Sequence, residues 1–151
     1  MRGGIKSRDI RTPIHGLTSH ESSMTKSDRG PPGRIHIIGG SLRGSRLAVP
    51  VIPGLRPTPQ RLRQTLFDWL APVIAGANVL DAFAGSGALG IEALSRGART
   101  ATFIERDGAQ ARAIETDLAR LLQDNASVQS GDALRILAQP ATGNFDIAFL
   151  D

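Results

Sequence analysis

From Ala77 onward, short apolar runs alternate with apolar residues at helical spacing. Asn78-Val79-Leu80 predicts a buried strand ending at Asp81, and Gly87 to Arg96 predicts a helix closed by Gly97 in the left-handed conformation. Arg99 to Ile104 predicts the next strand, ending at Glu105. Asp107 then stands where it can cap a helix in which Ala111, Ile114, Leu118, Leu121 and Leu122 repeat along one face. Ser127-Val128-Gln129 reads as a third strand before Gly131-Asp132, Ala133 to Leu137 as a short helix, and Phe145 to Leu150 as a fourth strand running into Asp151. Strands alternating with helices imply an α/β fold, a parallel sheet with right-handed crossovers. In such sheets ligands sit beyond the carboxyl ends of the strands. All four predicted strands end at or beside an acid: Asp81, Glu105, Asp132 and Asp151.

The part before Ala77 has a different pattern. Arg34-Ile35-His36-Ile37-Ile38 alternates, Gly39-Gly40-Ser41 turns the chain, and Ser45 to Val49 returns as a second strand closed by Pro50. With Arg34, Arg43 and Arg46 this makes a small basic β-hairpin. Residues 53–57 form an extended linker; Thr58 offers an N-cap and Pro59 the first helical position. Leu62, Leu66, Trp69, Leu70 and Val73 then form one apolar face, read as core rather than ligand site, with Arg61, Gln64 and Asp68 opposite. Residues 1–33, rich in Ser, Arg, Gly and Pro and without apolar period, read as a disordered basic tail. His15 and His20 stand in it without partners, and Met24 is a candidate for the true start. The organisation expected is therefore a tail (1–33), an N-terminal hairpin and helix (34–75) and a Rossmann-like half domain (76–151).

Composition narrows the classes. The 151 residues suffice for one core, and 40% are hydrophobic. With no cysteine, a disulfide framework, a thiolate zinc site and a cysteine nucleophile are excluded, and a reducing compartment fits. No apolar run approaches the ~20 residues of a membrane span, and the N-terminus lacks the apolar core of a signal peptide, so the reading is a cytoplasmic protein. Charge is divided: residues 1–70 hold twelve Lys and Arg against four Asp and Glu, residues 71–151 six against ten. A basic half joined to an acidic half suits a polyanion at one end only; a solvated basic tail is the plainer account.

The chemistry concentrates after Asp81. Gly85 and Gly87 remove side chains where a ligand approaches the backbone, in front of a helix N-terminus with unpaired N–H groups. Gly85-Ser86-Gly87-Ala88-Leu89-Gly90 matches G-x-G-x-x-G, so a nicotinamide dinucleotide is the first rival. Asp81 argues against it: a pyrophosphate would meet a carboxylate, whereas a methionine ammonium would be welcome. Glu105 can accept both ribose hydroxyls of either cofactor. Asp132 can accept an adenine amino group or simply cap the following helix.

Val79 to Gly87, with Phe83 inside it, resembles motif I of class I methyltransferases, and Phe103-Ile104-Glu105 and Gly131-Asp132 are similar to that family's next cofactor positions. Arg34 to Gly40, Arg43-Gly44, Gly54-Leu55-Arg56-Pro57-Thr58 and Arg61-Leu62-Arg63-Gln64-Thr65-Leu66-Phe67-Asp68-Trp69-Leu70 resemble more narrowly the bacterial 16S ribosomal RNA guanine-966 N2-methyltransferase family. The resemblance implies S-adenosyl-L-methionine as cofactor, held by Asp81, Phe83, Gly85, Ser86, Gly87, Glu105 and Asp132. It further implies Asp151 as the carboxylate that accepts the guanine amine. No metal or acid–base histidine is needed. The implied partner is 16S ribosomal RNA in the 30S subunit or an assembly intermediate, met by a monomer through Arg34, Arg43, Arg46, Arg56, Arg61 and Arg63. Arg61 and Arg63 cannot share one helix face, so one of them is expected to pair with an acid such as Asp68.

In that family the fourth strand ends in Asp-Pro-Pro and an aromatic residue. Here the chain stops at Asp151. The expectation is a truncated or incomplete form with an apolar edge strand, poor solubility and no methyl transfer. A nicotinamide-dependent oxidoreductase and a non-catalytic RNA-binding remnant stay open as the other classes.

Overall fold

A computed structural model describes residues 34–48, 57–141 and 143–151. The predicted tail with His15, His20 and Met24, the end of the second strand at Val49, and the linker as far as Arg56 lie outside these residues.

The first element is an antiparallel pair, β1 (Arg34–His36) and β2 (Arg46–Ala48), in the register Ile35 opposite Leu47. Alternation turns Ile35 and Leu47 inward and leaves Arg34, His36 and Arg46 exposed. Next come α1 (Gln60–Leu70), β3 (Asn78–Asp81), α2 (Ala88–Ser95), β4 (Thr100–Glu105), α3 (Gly108–Arg120), β5 (Ala126–Ser130), α4 (Ala133–Leu137) and β6 (Ile147–Phe149). Strands β3 to β6 form one parallel sheet in the order β5-β4-β3-β6. The chain steps outward from β3 through β4 to β5, then returns to place β6 on the other side of β3. The order therefore reverses between β3 and β6, where a crevice opens at the carboxyl ends. No helix among the described residues is long and apolar enough to cross a membrane.

Two cores cover one face of the sheet. Ile35, Ile37 and Leu47 of the hairpin region pack with Ile91, Leu94, Phe103, Ile114 and Leu118, so the hairpin shares its core with α2, α3 and β4. Phe67 and Ile74 pack with Val79, Leu89, Ala93 and Phe149. On the opposite face Leu80, Ala82 and Ile104 meet Ala133 of α4. Gly90 is required by packing: a Cβ there would lie 2.2 Å from the Phe103 ring.

Helix α1 keeps part of its predicted face, with Leu66 and Leu70 partly buried against the core, and departs from it in the rest. Phe67 and Arg63 are its buried residues, whereas Leu62, Trp69 and Val73 are exposed, Trp69 at 77%. The helix carries two apolar arcs, and Phe67 decides between them. Its ring meets Phe149 edge-on at 5.8 Å and lies under the Arg96 guanidinium at 5.1 Å. Leu122 also leaves the predicted core face. It takes a left-handed φ of 55° just past α3 and is 84% exposed.

Candidate functional site

The site is built on the carboxyl ends of β3, β4 and β6. Asp81 ends β3 and is buried; its Oδ2 accepts the Gly90 N–H at 3.0 Å. That amide is in the first turn of α2, whose N-cap is Gly87 at φ 75° with no side-chain cap. Asp81 thus caps the helix from the preceding strand. Burial pushes its carboxyl up to about 7, the Gly90 bond pulls the other way, and the negative charges of Asp151 and Glu105 push it up further. Asp81 therefore feels the charge of both neighbouring strand-end carboxylates.

Glu105 ends β4 with both oxygens engaged: Oε2 accepts the Gly85 N–H at 2.7 Å and Oε1 the Asp107 N–H at 2.8 Å. It ties the glycine turn to the second strand, and each oxygen keeps a further lone pair for a hydroxyl donor. Gly85 and Gly87 take φ of 54° and 75°, a conformation that side chains disfavour. Ser86 Oγ accepts the Ala88 N–H at 3.3 Å, and Phe83 is half exposed beside the turn. Asp132 caps α4, its Oδ1 accepting the Arg135 N–H at 3.0 Å. Asp151 is exposed beyond β6 and accepts the Thr58 hydroxyl on Oδ2 at 2.5 Å. Thr58 is not the side-chain cap its position predicts: the N-cap of α1 is Pro59, without a side-chain hydrogen bond.

The arrangement suits a cation more than a polyanion. A nucleoside with a positively charged neighbour finds carboxylates at the mouth and open backbone at the turn. A pyrophosphate at the same turn would face the buried Asp81 and its two acidic neighbours. The cradle of two left-handed glycines before a helix already capped by a carboxylate therefore fits S-adenosyl-L-methionine better than a dinucleotide.

The six arginines read as RNA contacts separate in the structure. Arg34, Arg43 and Arg46 are exposed on the hairpin, and Arg61 is exposed on α1. Arg56 lies outside the described residues. Arg63 is corrected: it is 2% exposed, donates to the His36 carbonyl at 3.0 Å and pairs with Glu92 at 3.7 Å, so no phosphate can reach it. Its acid is Glu92 and not Asp68, which accepts Gln64 instead.

Sequence reasoning missed Glu92. It is fully buried; its oxygens accept the Ile38 and Gly39 N–H groups and the Arg96 Nε–H, each at 2.8 Å. It thereby joins the hairpin to α2 and, through Arg63, to α1. The available signal was a lone acid inside Ala88-Leu89-Gly90-Ile91-Glu92-Ala93-Leu94-Ser95, a helix buried on every side.

Comparison with known proteins places this geometry in a family. Residues 35–151 match the family described as conserved hypothetical protein 95. The ribosomal RNA small subunit methyltransferase D of Escherichia coli is 52% identical over 128 residues, covering 85% of this chain and 64% of the relative. The Haemophilus influenzae protein of the same name is 44% identical over 122 residues, 79% of this chain and 63% of the relative. The chain thus spans somewhat under two thirds of the length of these curated relatives. A solved structure of a candidate methyltransferase from Escherichia coli superposes with a TM-score of 0.72 at 53% identity, covering 78% of this chain and 64% of that one. The fold is the Rossmann-like α/β fold of class I methyltransferases, and the chain belongs to the conserved hypothetical protein 95 family, with ribosomal RNA small subunit methyltransferases among its relatives.

Proposed function

We propose that this chain carries the cofactor site and part of the RNA-facing surface of an S-adenosyl-L-methionine-dependent methyltransferase, acting on the exocyclic N2 of a guanine in 16S ribosomal RNA. The observation that carries the reading is the glycine turn held between two strand-end carboxylates: Asp81 accepts the Gly90 N–H and Glu105 the Gly85 N–H, with Asp151 beyond the end of the neighbouring strand β6. The names and identities of the relatives support the substrate class.

Residues 76–151 would hold the cofactor. Gly85, Ser86 and Gly87 leave the backbone open to the methionine part, and Asp81 offsets its ammonium charge. Glu105 accepts the ribose hydroxyls, Phe83 borders the nucleoside, and Asp132 accepts the adenine amine with the oxygen that does not cap α4. When bound, the cofactor supplies a methyl group on a positively charged sulfur. The guanine amine is a weak nucleophile because its lone pair is conjugated into the ring. Asp151, accepting an N–H of that amine, draws the lone pair toward the methyl carbon. Held by Asp81, Glu105 and the turn at Gly85 and Gly87, the cofactor would supply the methyl carbon for the new N–C bond and would keep the C–S electron pair on its sulfur, while the amine would give up one proton to solvent. Positioning is the main catalytic contribution. Residues 34–75 would meet RNA, with Arg34, Arg43, Arg46 and Arg61 on phosphates and Arg56 as a further candidate. The expected setting is a monomer in the cytoplasm, acting on the 30S subunit or an assembly intermediate.

Titration calorimetry tests the cofactor assignment. S-adenosylhomocysteine should bind and NAD should not. Glu105→Ala should weaken that binding by about 1.5–3 kcal/mol, the range for hydrogen bonds to a charged group. NAD binding tighter than S-adenosylhomocysteine would overturn the reading and restore the oxidoreductase. Cofactor binding with no labelled methyl appearing in hypomethylated 30S subunits would favour the RNA-binding remnant.

A further inference from the structure

The hydroxyl of Thr58 reaches across 93 residues of sequence to donate to Asp151 Oδ2. Thr58 stands between Pro57 and Pro59. Each proline ring fixes its own φ, and a residue before proline is confined to extended backbone, so the hydroxyl is presented from a stiff support. Asp151 follows β6, and among the described residues the Thr58 hydroxyl is the donor that its side-chain carboxylate meets.

Beside the pair lies a cleft of about 360 Å³, walled by Leu62, Leu66, Leu89 and Phe149, and among the described residues Thr58 and Asp151 are the polar side chains on its lining. Apolar walls and one accepting edge suit a flat heterocycle that presents an N–H edge. Thr58 occupies one oxygen of Asp151, and among the described residues no group donates to Oδ1. A carboxylate accepts at both oxygens, so the second remains for an incoming amine.

We propose that Thr58 is a positioning residue for the target base: its hydroxyl holds Asp151 so that Oδ1 meets the amine edge of a guanine seated between α1 and the end of β6. The proposal rests on the reading of Asp151 as the amine acceptor. It adds that α1, through the Pro-Thr-Pro segment, sets the carboxylate's orientation, and it gives Leu62, exposed although apolar, a place in the wall of the base site.

The test uses the 151-residue chain and three forms of position 58: wild type, Thr58→Val, which keeps the shape and removes the hydroxyl, and Thr58→Ser, which restores it. Each is saturated with S-adenosylhomocysteine and titrated with guanosine, following the methyl resonances of Leu62, Leu66 and Leu89. Wild type should show saturable shifts at those methyls, Thr58→Val should bind guanosine at least fivefold more weakly, and Thr58→Ser should stay within twofold of wild type. Affinity for S-adenosylhomocysteine and the thermal midpoint should be the same in all three. Equal guanosine affinity in Thr58→Val and wild type, equal weakening in Thr58→Val and Thr58→Ser, or a silent cleft in the S-adenosylhomocysteine-bound protein would each overturn the proposal while leaving the cofactor reading intact. Failure of S-adenosylhomocysteine to bind at all would remove the reading beneath it.

Discussion

Asp81 is the residue on which the cofactor reading can be examined without RNA. Its carboxyl is raised from an ordinary 3.8 to about 7, first by burial and then by the charges of Asp151 and Glu105. A raised folded-state value means that the fold favours the protonated form. The resulting stability is fully present below about pH 4 and is lost as pH rises through 7. Three units correspond to about 4 kcal/mol, a slope of about 1.4 kcal/mol per pH unit across that window. Asp81→Asn removes the titration. Asparagine can still accept the Gly90 N–H through its carbonyl oxygen, so the capping bond survives and the desolvated charge does not. Urea unfolding at half-unit steps from pH 4.5 to 8 should therefore show the variant gaining on the wild type as pH rises and exceeding it in stability at pH 8. A cationic ligand works in the opposite direction: it favours the ionised carboxylate and draws its pKa down. Binding of S-adenosylmethionine at pH 7 should then release about half a proton, read as a difference in calorimetric enthalpy between phosphate and Tris buffers. Asp81→Asn should bind more weakly and release none. Parallel stability curves for the two proteins, or equal heats in the two buffers, would refute the account of a buried carboxyl waiting for a positive partner.

Gly90→Ala should destabilise by about 1–3 kcal/mol in thermal or urea unfolding, since its Cβ would enter the Phe103 ring at 2.2 Å and α2 must shift from β4. Glu92→Gln should cost about 3–5 kcal/mol by leaving Arg63 buried without its counter-charge; a variant as stable as wild type would show that the pair contributes nothing net. Replacing Arg43 and Arg46 together by alanine should leave the melting temperature unchanged and flatten the dependence of log binding constant on log salt by roughly one to two units. An unchanged slope would mean that the exposed side of the hairpin does not meet phosphate.

What was legible in the sequence, and what was not, divides along one physical line. Strand and helix positions from Asn78 to Leu137 follow from local period and punctuation, and the structure places them within a residue or two. Gly97 takes its left-handed turn and Asp107 its cap on Ala109 and Gln110 because both effects are completed within four residues of chain. Elements whose orientation depends on distant partners were misread. The inward face of α1 is chosen by Phe149 and Arg96 meeting Phe67, and by Glu92 meeting Arg63. A count of leucines along the helix carries none of that. Arg63 is instructive because its residue type pointed outward to phosphate, while a single acid 29 positions later draws it into the core. Thr58 has the same form: the local rule makes it a cap, and an oxygen 93 residues away takes its hydroxyl instead. The candidate site shows both behaviours at once. Its carboxylates could be located from the strand ends alone, because a parallel sheet brings those ends together whatever the side chains do. The acceptance of the Gly90, Gly85 and Asp107 amides by Asp81 and Glu105 could not be read in advance, since it depends on how closely the glycine turn folds back on the sheet. Those bonds give the same carboxylates a second task. Before any ligand arrives they hold the turn in shape, so a cofactor would meet a preformed cradle and need little reordering of the chain to bind.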